Sequence, residues 1–220
     1  DEDTPIENKM LTSSIESAQR RIEERNFGIR RDVLQYDDVM NRQRELIYGQ
    51  RDKVLDGENI RESVVGMIRE SIGATVAQYT AGDDHEEWNL DGLREYYTGW
   101  LTTEDDFRYD AQQMEDLGRE ELTEQLIDKA MKIYEEKETN YGPLMRELER
   151  VVLLKTVDRY WMDHIDNMEE LRKGIHLRAY GQKDPVVLYR MEGFDMFDQM
   201  IASIREDTAR LMLTVQIRQK

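Results

Sequence analysis

There is no cysteine among the 220 residues, so the chain cannot be stapled by disulfides and has no thiolates to offer a metal. Proline is nearly as scarce. Pro5, Pro143 and Pro185 are the only three, which leaves long stretches where nothing forbids a helix. Apolar runs are short: none approaches the roughly 20 residues that cross a bilayer, and no signal peptide opens the chain, so the sequence reads as soluble and intracellular. Sustained alternation of apolar and polar residues is missing too, which argues against strands. The dipeptide Gly-Lys never occurs and there is no GxGxxG, which excludes a phosphate-binding loop of either kind.

Other catalytic chemistry fails by spacing. A helical di-iron site needs two ExxH pairs, yet the residues three before His85, His164 and His176 are Gly82, Trp161 and Lys173. Asp105 and Asp106 lack the glycine and the alternating oxygens of a calcium loop. Asp37 and Asp38, adjacent on a helix, diverge by about 100° and share no substrate face. His164, beside Trp161 and Asp163, reads as a structural histidine. The expectation is therefore no catalytic residue, no metal ligand and no cofactor site in this chain.

The net charge is −17, and its distribution is uneven. Between Asp83 and Glu138 lie 19 acidic and 6 basic side chains, so the remainder is close to balanced. Such a segment opposes nucleic acid and anionic lipid and permits basic partners, although a solvated face is the plainer reading.

What is present is helical periodicity. Thr4, Pro5 and Glu7 suit a capping box with proline at the first helical position. After them Leu11, Ile15, Ala18, Ile22, Ile29, Val33, Tyr36, Met40 and Ile47 keep one face apolar. Several are eleven residues apart, which predicts a nearly straight helix over 6–54, roughly 75 Å long if unbroken. Asp56 and Gly57 end it. Asn59 and Glu62 are placed to cap a second helix that runs toward Gly82, and shorter stretches are predicted at about 91–99 and 104–139. From Leu144 a stripe of Leu148, Val151, Leu154, Val157, Trp161, Ile165, Met168, Leu171 and Ile175 defines another long helix. Val187, Met191, Phe194, Phe197, Ile201, Ile204, Leu211 and Val215 define its successor, capped by Asp184 with Pro185 in the first turn. These two should fold into an antiparallel hairpin, whose tip carries His176, Arg178, Tyr180 and Lys183 without needing them for its stripe. The predicted fold is all-α. A long scaffold helix (1–56) packs on a two-helix finger (143–220), with an acidic helical segment (57–142) inserted between.

Two separated runs point to a family. Asn26-Phe27-Gly28-Ile29-Arg30-Arg31, Tyr36-Asp37-Asp38-Val39-Met40-Asn41 and Gln43-Arg44 resemble the long scaffold helix of SecA, the motor ATPase of bacterial preprotein export. Asp158-Arg159-Tyr160-Trp161 with His164, Leu171 through Arg178, Tyr180 and Gln182-Lys183-Asp184-Pro185 resemble its two-helix finger. The acidic segment is similar to the family's helical wing in position and character only.

The resemblance implies a scaffold and wing region without its motor: ATP and Mg belong to nucleotide-binding domains outside this sequence, and the fragment itself is not expected to be an enzyme. It implies that Tyr180 is the fingertip aromatic, with Arg178, Gln182 and Lys183 around it, and that Arg30 and Arg44 contact the motor domains. The implied partners are those nucleotide-binding domains, the SecYEG channel and the preprotein with its signal peptide. Nucleic acid is not among them, and a homodimer is left open. The implied location is the cytoplasm, peripheral to the inner face of the plasma membrane. In relatives a glycine commonly precedes the fingertip tyrosine; here Ala179 precedes it and Gly181 follows. The competing reading is an acidic all-α interaction adaptor with no role in translocation.

Overall fold

The structure, a computed structural model, describes residues 9–82, 84–109, 113, 117–178 and 184–217, with backbone alone for Lys9, His176 and Arg178. The capping box expected at Thr4, Pro5 and Glu7 lies outside the described residues. Six α-helices account for most of the described residues: α1 Lys9–Leu55, α2 Arg61–Tyr79, α3 Leu90–Tyr97, α4 Arg119–Tyr141, α5 Leu144–Arg178 and α6 Pro185–Thr214. No strand occurs among the described residues, only an isolated bridge from Thr98 to Thr102. The chain is all-α.

Helix boundaries follow local chemistry. Gly57, at φ 83°, takes the left-handed conformation that stops α1. Asn59 acts one residue earlier than a conventional cap, its Oδ1 accepting from the Arg61 N–H at 3.0 Å, while Ile60 occupies the cap position without a side-chain bond. Asn89 caps α3 by accepting from Gly92 N–H at 2.9 Å. Asp184 accepts from Val186 N–H at 2.8 Å at the start of α6. The predicted helix over 104–139 is corrected: α4 begins only at Arg119, behind Gly118. Asp106 explains part of the shortfall, because its carboxylate takes the Thr103 N–H at 2.7 Å and the Thr103 hydroxyl at 3.0 Å, and Phe107 adopts φ 59°. Side chains that bond nearby backbone compete with a helix.

The chain divides into two compact units, and α1, α5 and α6 contribute residues to both. The first holds residues 1–46 and 167–195. Its core is formed by Tyr36 and Gln43 of α1, Met168, Leu171 and Ile175 of α5, and Val186 and Tyr189 of α6. The second holds residues 47–166 and 196–220. There α2 supplies Val64, Ile68, Ile72 and Val76 to a core shared with Leu93 and Tyr97 of α3, Leu122, Leu126 and Tyr134 of α4, Met145 of α5 and Met212 of α6.

Candidate functional site

In the first unit α6 is held by close approach. Gly193 of α6 has no side chain where an added Cβ would come within 2.6 Å of Met168 Cε and 3.8 Å of Val39 Cγ1. Its carbonyl accepts a 2.9 Å hydrogen bond from the buried Gln43 amide of α1. One turn away the Tyr36 and Tyr189 rings meet edge to face at 4.8 Å, the geometry that ring quadrupoles favour. Burial pushes the Tyr189 hydroxyl up to about 12, and it raises that of Tyr36, with Asp32 and Asp184 adding to the shift.

This arrangement corrects the predicted stripe of α6. Val187, Met191 and Phe194 face solvent, while Val186, Tyr189 and Gly193 face inward. Periodicity offered two apolar faces a fraction of a turn apart, and backbone approach at the glycine selected the one richer in small and aromatic residues.

The first turns of α5, in the second unit, differ in the same way. Leu144 and Val151 are exposed, and the buried positions are Met145, Glu149, Val152, Leu153 and Thr156. The reason is polar. Glu149, fully buried, accepts from the Tyr134 hydroxyl and from Arg146 Nη1 at 2.8 and 2.9 Å. Arg146 also reaches Glu138, which holds Arg61 of α2 at 3.0 and 3.2 Å. Five side chains from α2, α4 and α5 thus form one continuous network. Burial, with the bond to Glu149 next, raises the Tyr134 pKa and keeps the phenol a donor. Nearby, Lys137 donates to the Met212 and Val215 carbonyls at 2.9 and 2.6 Å and so closes the C-terminal end of α6.

Further along the same unit Arg51 of α1 bonds Asp158 of α5 at 3.0 Å, and Tyr48 meets Trp161 edge to face at 6.3 Å. His164 is buried, stacked against Trp161 at 5.6 Å and set edge-on to Phe197 at 5.7 Å.

Of the residues singled out from sequence, Arg30 and Arg44 lie on exposed faces of α1, and Arg44 donates to Asn41 at 3.1 Å. Arg178 is the last residue of α5, with its side chain outside the description. Tyr180, Gln182 and Lys183 fall outside the described residues. Of the apolar face read from the sequence, Tyr36 and Ile47 are buried, whereas Leu11, Ile15, Ile22, Ile29 and Val33 are exposed, and so are Phe27, 70% accessible, and Leu34, 68% accessible. Among the described residues no group of three or more acidic or histidine side chains could hold a metal ion. The residues missed were Gln43, Gly193, Tyr134 and Glu149.

The model of the SecA Wing and Scaffold domain family matches residues 5–216. The chain belongs to this family. It is 49% identical over 219 residues to the protein translocase subunit SecA of Acetivibrio thermocellus, covering 99% of this chain and 24% of that protein. It is 50% identical over 218 residues to the protein translocase subunit SecA 1 of Alkaliphilus metalliredigens, covering 98% and 24%. The corresponding subunit of Clostridioides difficile is 47% identical over 218 residues, covering 99% and 24%. The chain spans about a quarter of the length of these SecA relatives. The first SecA-like motif lies on α1; of the second, the residues from Asp158 to Arg178 lie on α5 and Pro185 opens α6, with Tyr180, Gln182 and Lys183 outside the described residues.

Proposed function

We propose that this chain is the scaffold and wing portion of a bacterial preprotein translocase, passing motor movement to a two-helix finger that contacts the transported chain at the SecYEG channel. The observation that carries this reading is the exposed apolar face of α1 from Leu11 to Leu34 in a chain that matches a quarter of each relative. An amphipathic helix of that length needs a partner to cover its stripe. The nucleotide-binding domains are that partner in this reading, with Arg30 and Arg44 making polar contacts to them. ATP and Mg act there, outside this chain. No helix among the described residues is long and apolar enough to cross a membrane, in keeping with a cytoplasmic protein held at the membrane through the channel.

The finger is suited to transmission because packed helices resist compression, whereas a flexible loop absorbs displacement. The Gly193 contact and the Gln43 bond tie its two helices to α1. An aromatic tip, Tyr180, offers apolar area and a hydroxyl without demanding one partner shape, which favours contact with many sequences. Arg178, Gln182 and Lys183 add donors around it. The test is Tyr180→Ala in the complete translocase. ATP binding should be retained while transport into vesicles falls about tenfold, a loss of about 1.4 kcal/mol in the coupled step. Undiminished transport removes the tip from the mechanism, and loss of ATP binding assigns the tyrosine to folding instead.

A further inference from the structure

A cleft of about 430 Å³ opens between α2, α3 and α6, wholly within the second unit. Its lining includes three small residues, Ala74, Thr75 and Ala202. Tyr79 and Tyr96 also line it, their rings packed against each other with centroids 6.2 Å apart and planes inclined at 48°. Glu70 and Glu206 stand on the α2 and α6 sides, and Arg205, bonded to Glu70 at 2.9 Å, is the one guanidinium in the lining. Tyr96 donates to Oε1 of Glu206.

We propose that this cleft receives a cationic side chain, arginine or lysine, presented by an extended polypeptide. Three features select that chemistry. Two electron-rich tyrosine rings in the lining attract a cation. Two carboxylates against one guanidinium leave the lining net negative, and the acidic stretch from Asp83 to Glu138 deepens the field. The aliphatic stem of the guest covers Ala74 and Ala202 while its charged end stays near Glu206, as such side chains do at half-open sites.

The neighbouring cleft, about 480 Å³, shows the opposite balance. Arg159 and Arg210 face a single carboxylate there, Asp207, which already accepts from Arg159 and from the Tyr160 hydroxyl. A cationic side chain is repelled by that pair of guanidiniums and accepted by the cleft lined by Tyr79, Tyr96 and Glu206. Discrimination between two clefts on the same helix follows from charge alone. The site stands on its own chemistry and does not depend on the fingertip reading, so either can fail without the other.

The test is a nuclear magnetic resonance titration of the 220-residue chain with the unstructured pentapeptide Gly-Ser-Arg-Ser-Gly and with the same peptide carrying citrulline, a neutral isostere of arginine. The arginine peptide should shift the amides of Glu70–Tyr79, Tyr96 and Ala202–Glu206 in a saturable way. The citrulline peptide should bind at least about fivefold more weakly. Glu206→Gln keeps an acceptor for Tyr96 and removes the charge, so it should weaken the arginine peptide about fivefold with unchanged thermal unfolding. If Glu206→Gln unfolds the chain, Glu70→Gln at the exposed rim makes the same measurement. Equal binding of the two peptides overturns the proposal, and so do shifts spread over residues 83–138. Absence of saturable shifts up to roughly 10 mM peptide overturns it as well.

Discussion

A carboxylate with no exposed surface must be answered on every side, and Glu149 is answered by the Tyr134 hydroxyl and the Arg146 guanidinium. Removing one member of such a network leaves the others buried without partners, which costs more than the intact pair contributes. Glu149→Ala should therefore lower stability by about 3–5 kcal/mol in urea unfolding; a loss below about 1 kcal/mol would show that water enters and solvates Arg146. His164 makes a pH-dependent contribution. Burial lowers its pKa from the ordinary value of 6.5, so the unfolded chain binds a proton more readily than the folded one. Its share of stability is present above pH 6.5 and is lost as pH falls from there through the lowered folded value. Unfolding midpoints should decline across that window, and His164→Phe should flatten the decline before carboxylates begin to titrate. An identical slope in the variant would rule out this histidine as the source.

Among the elements, α1 is the most uneven. Tyr36, Gln43, Ile47 and Val54 are buried along its second half, whereas its first half presents Leu11, Ile15, Ile22, Ile29 and Val33 to solvent. Helix propensity alone stabilises an isolated stretch marginally, and packing supplies the rest. Amide hydrogen exchange of the chain should show weak protection from Leu11 to about Val33 and strong protection from Tyr36 to Val54, because opening of the first part breaks few tertiary contacts. Uniform protection along α1 would mean that the first half is covered in solution. Helices α5 and α6 carry the converse lesson. The spacing of apolar residues correctly gave α5 and α6 as long helices, with Asp184 at the entrance to the second. It misplaced the buried face at Leu144 and Val151, and again at Val187, Met191 and Phe194. A helix bearing apolar residues on more than half its circumference does not declare which side its neighbour takes. That side was set by Gly193 in one case and by the Glu149 network in the other.

For the whole molecule, the exposed face of α1 and the family membership lead to the same experiment. Nucleotide-binding domains of a SecA relative, added in trans, should slow exchange between Leu11 and Leu34 and leave the α2 to α4 core unchanged. If that face exchanges as before, the motor contact proposed for Arg30 and Arg44 loses its apolar foundation.

Composition and periodicity were enough to establish an all-α chain without cysteine chemistry, with long helices in order and an acidic stretch between them, because those properties depend on local spacing and on counts of side chains. The family motifs were legible for the same reason, being runs of neighbouring residues. Folding in three dimensions decided which face of each helix is buried and that Glu149, Arg146, Glu138 and Arg61 share one network. It also decided that Tyr79, Tyr96 and Glu206, 127 positions apart at the extremes, line one cleft. Such choices rest on how closely particular backbones approach and on whether every buried charge finds a partner, and neither condition is written in the order of residues along one helix.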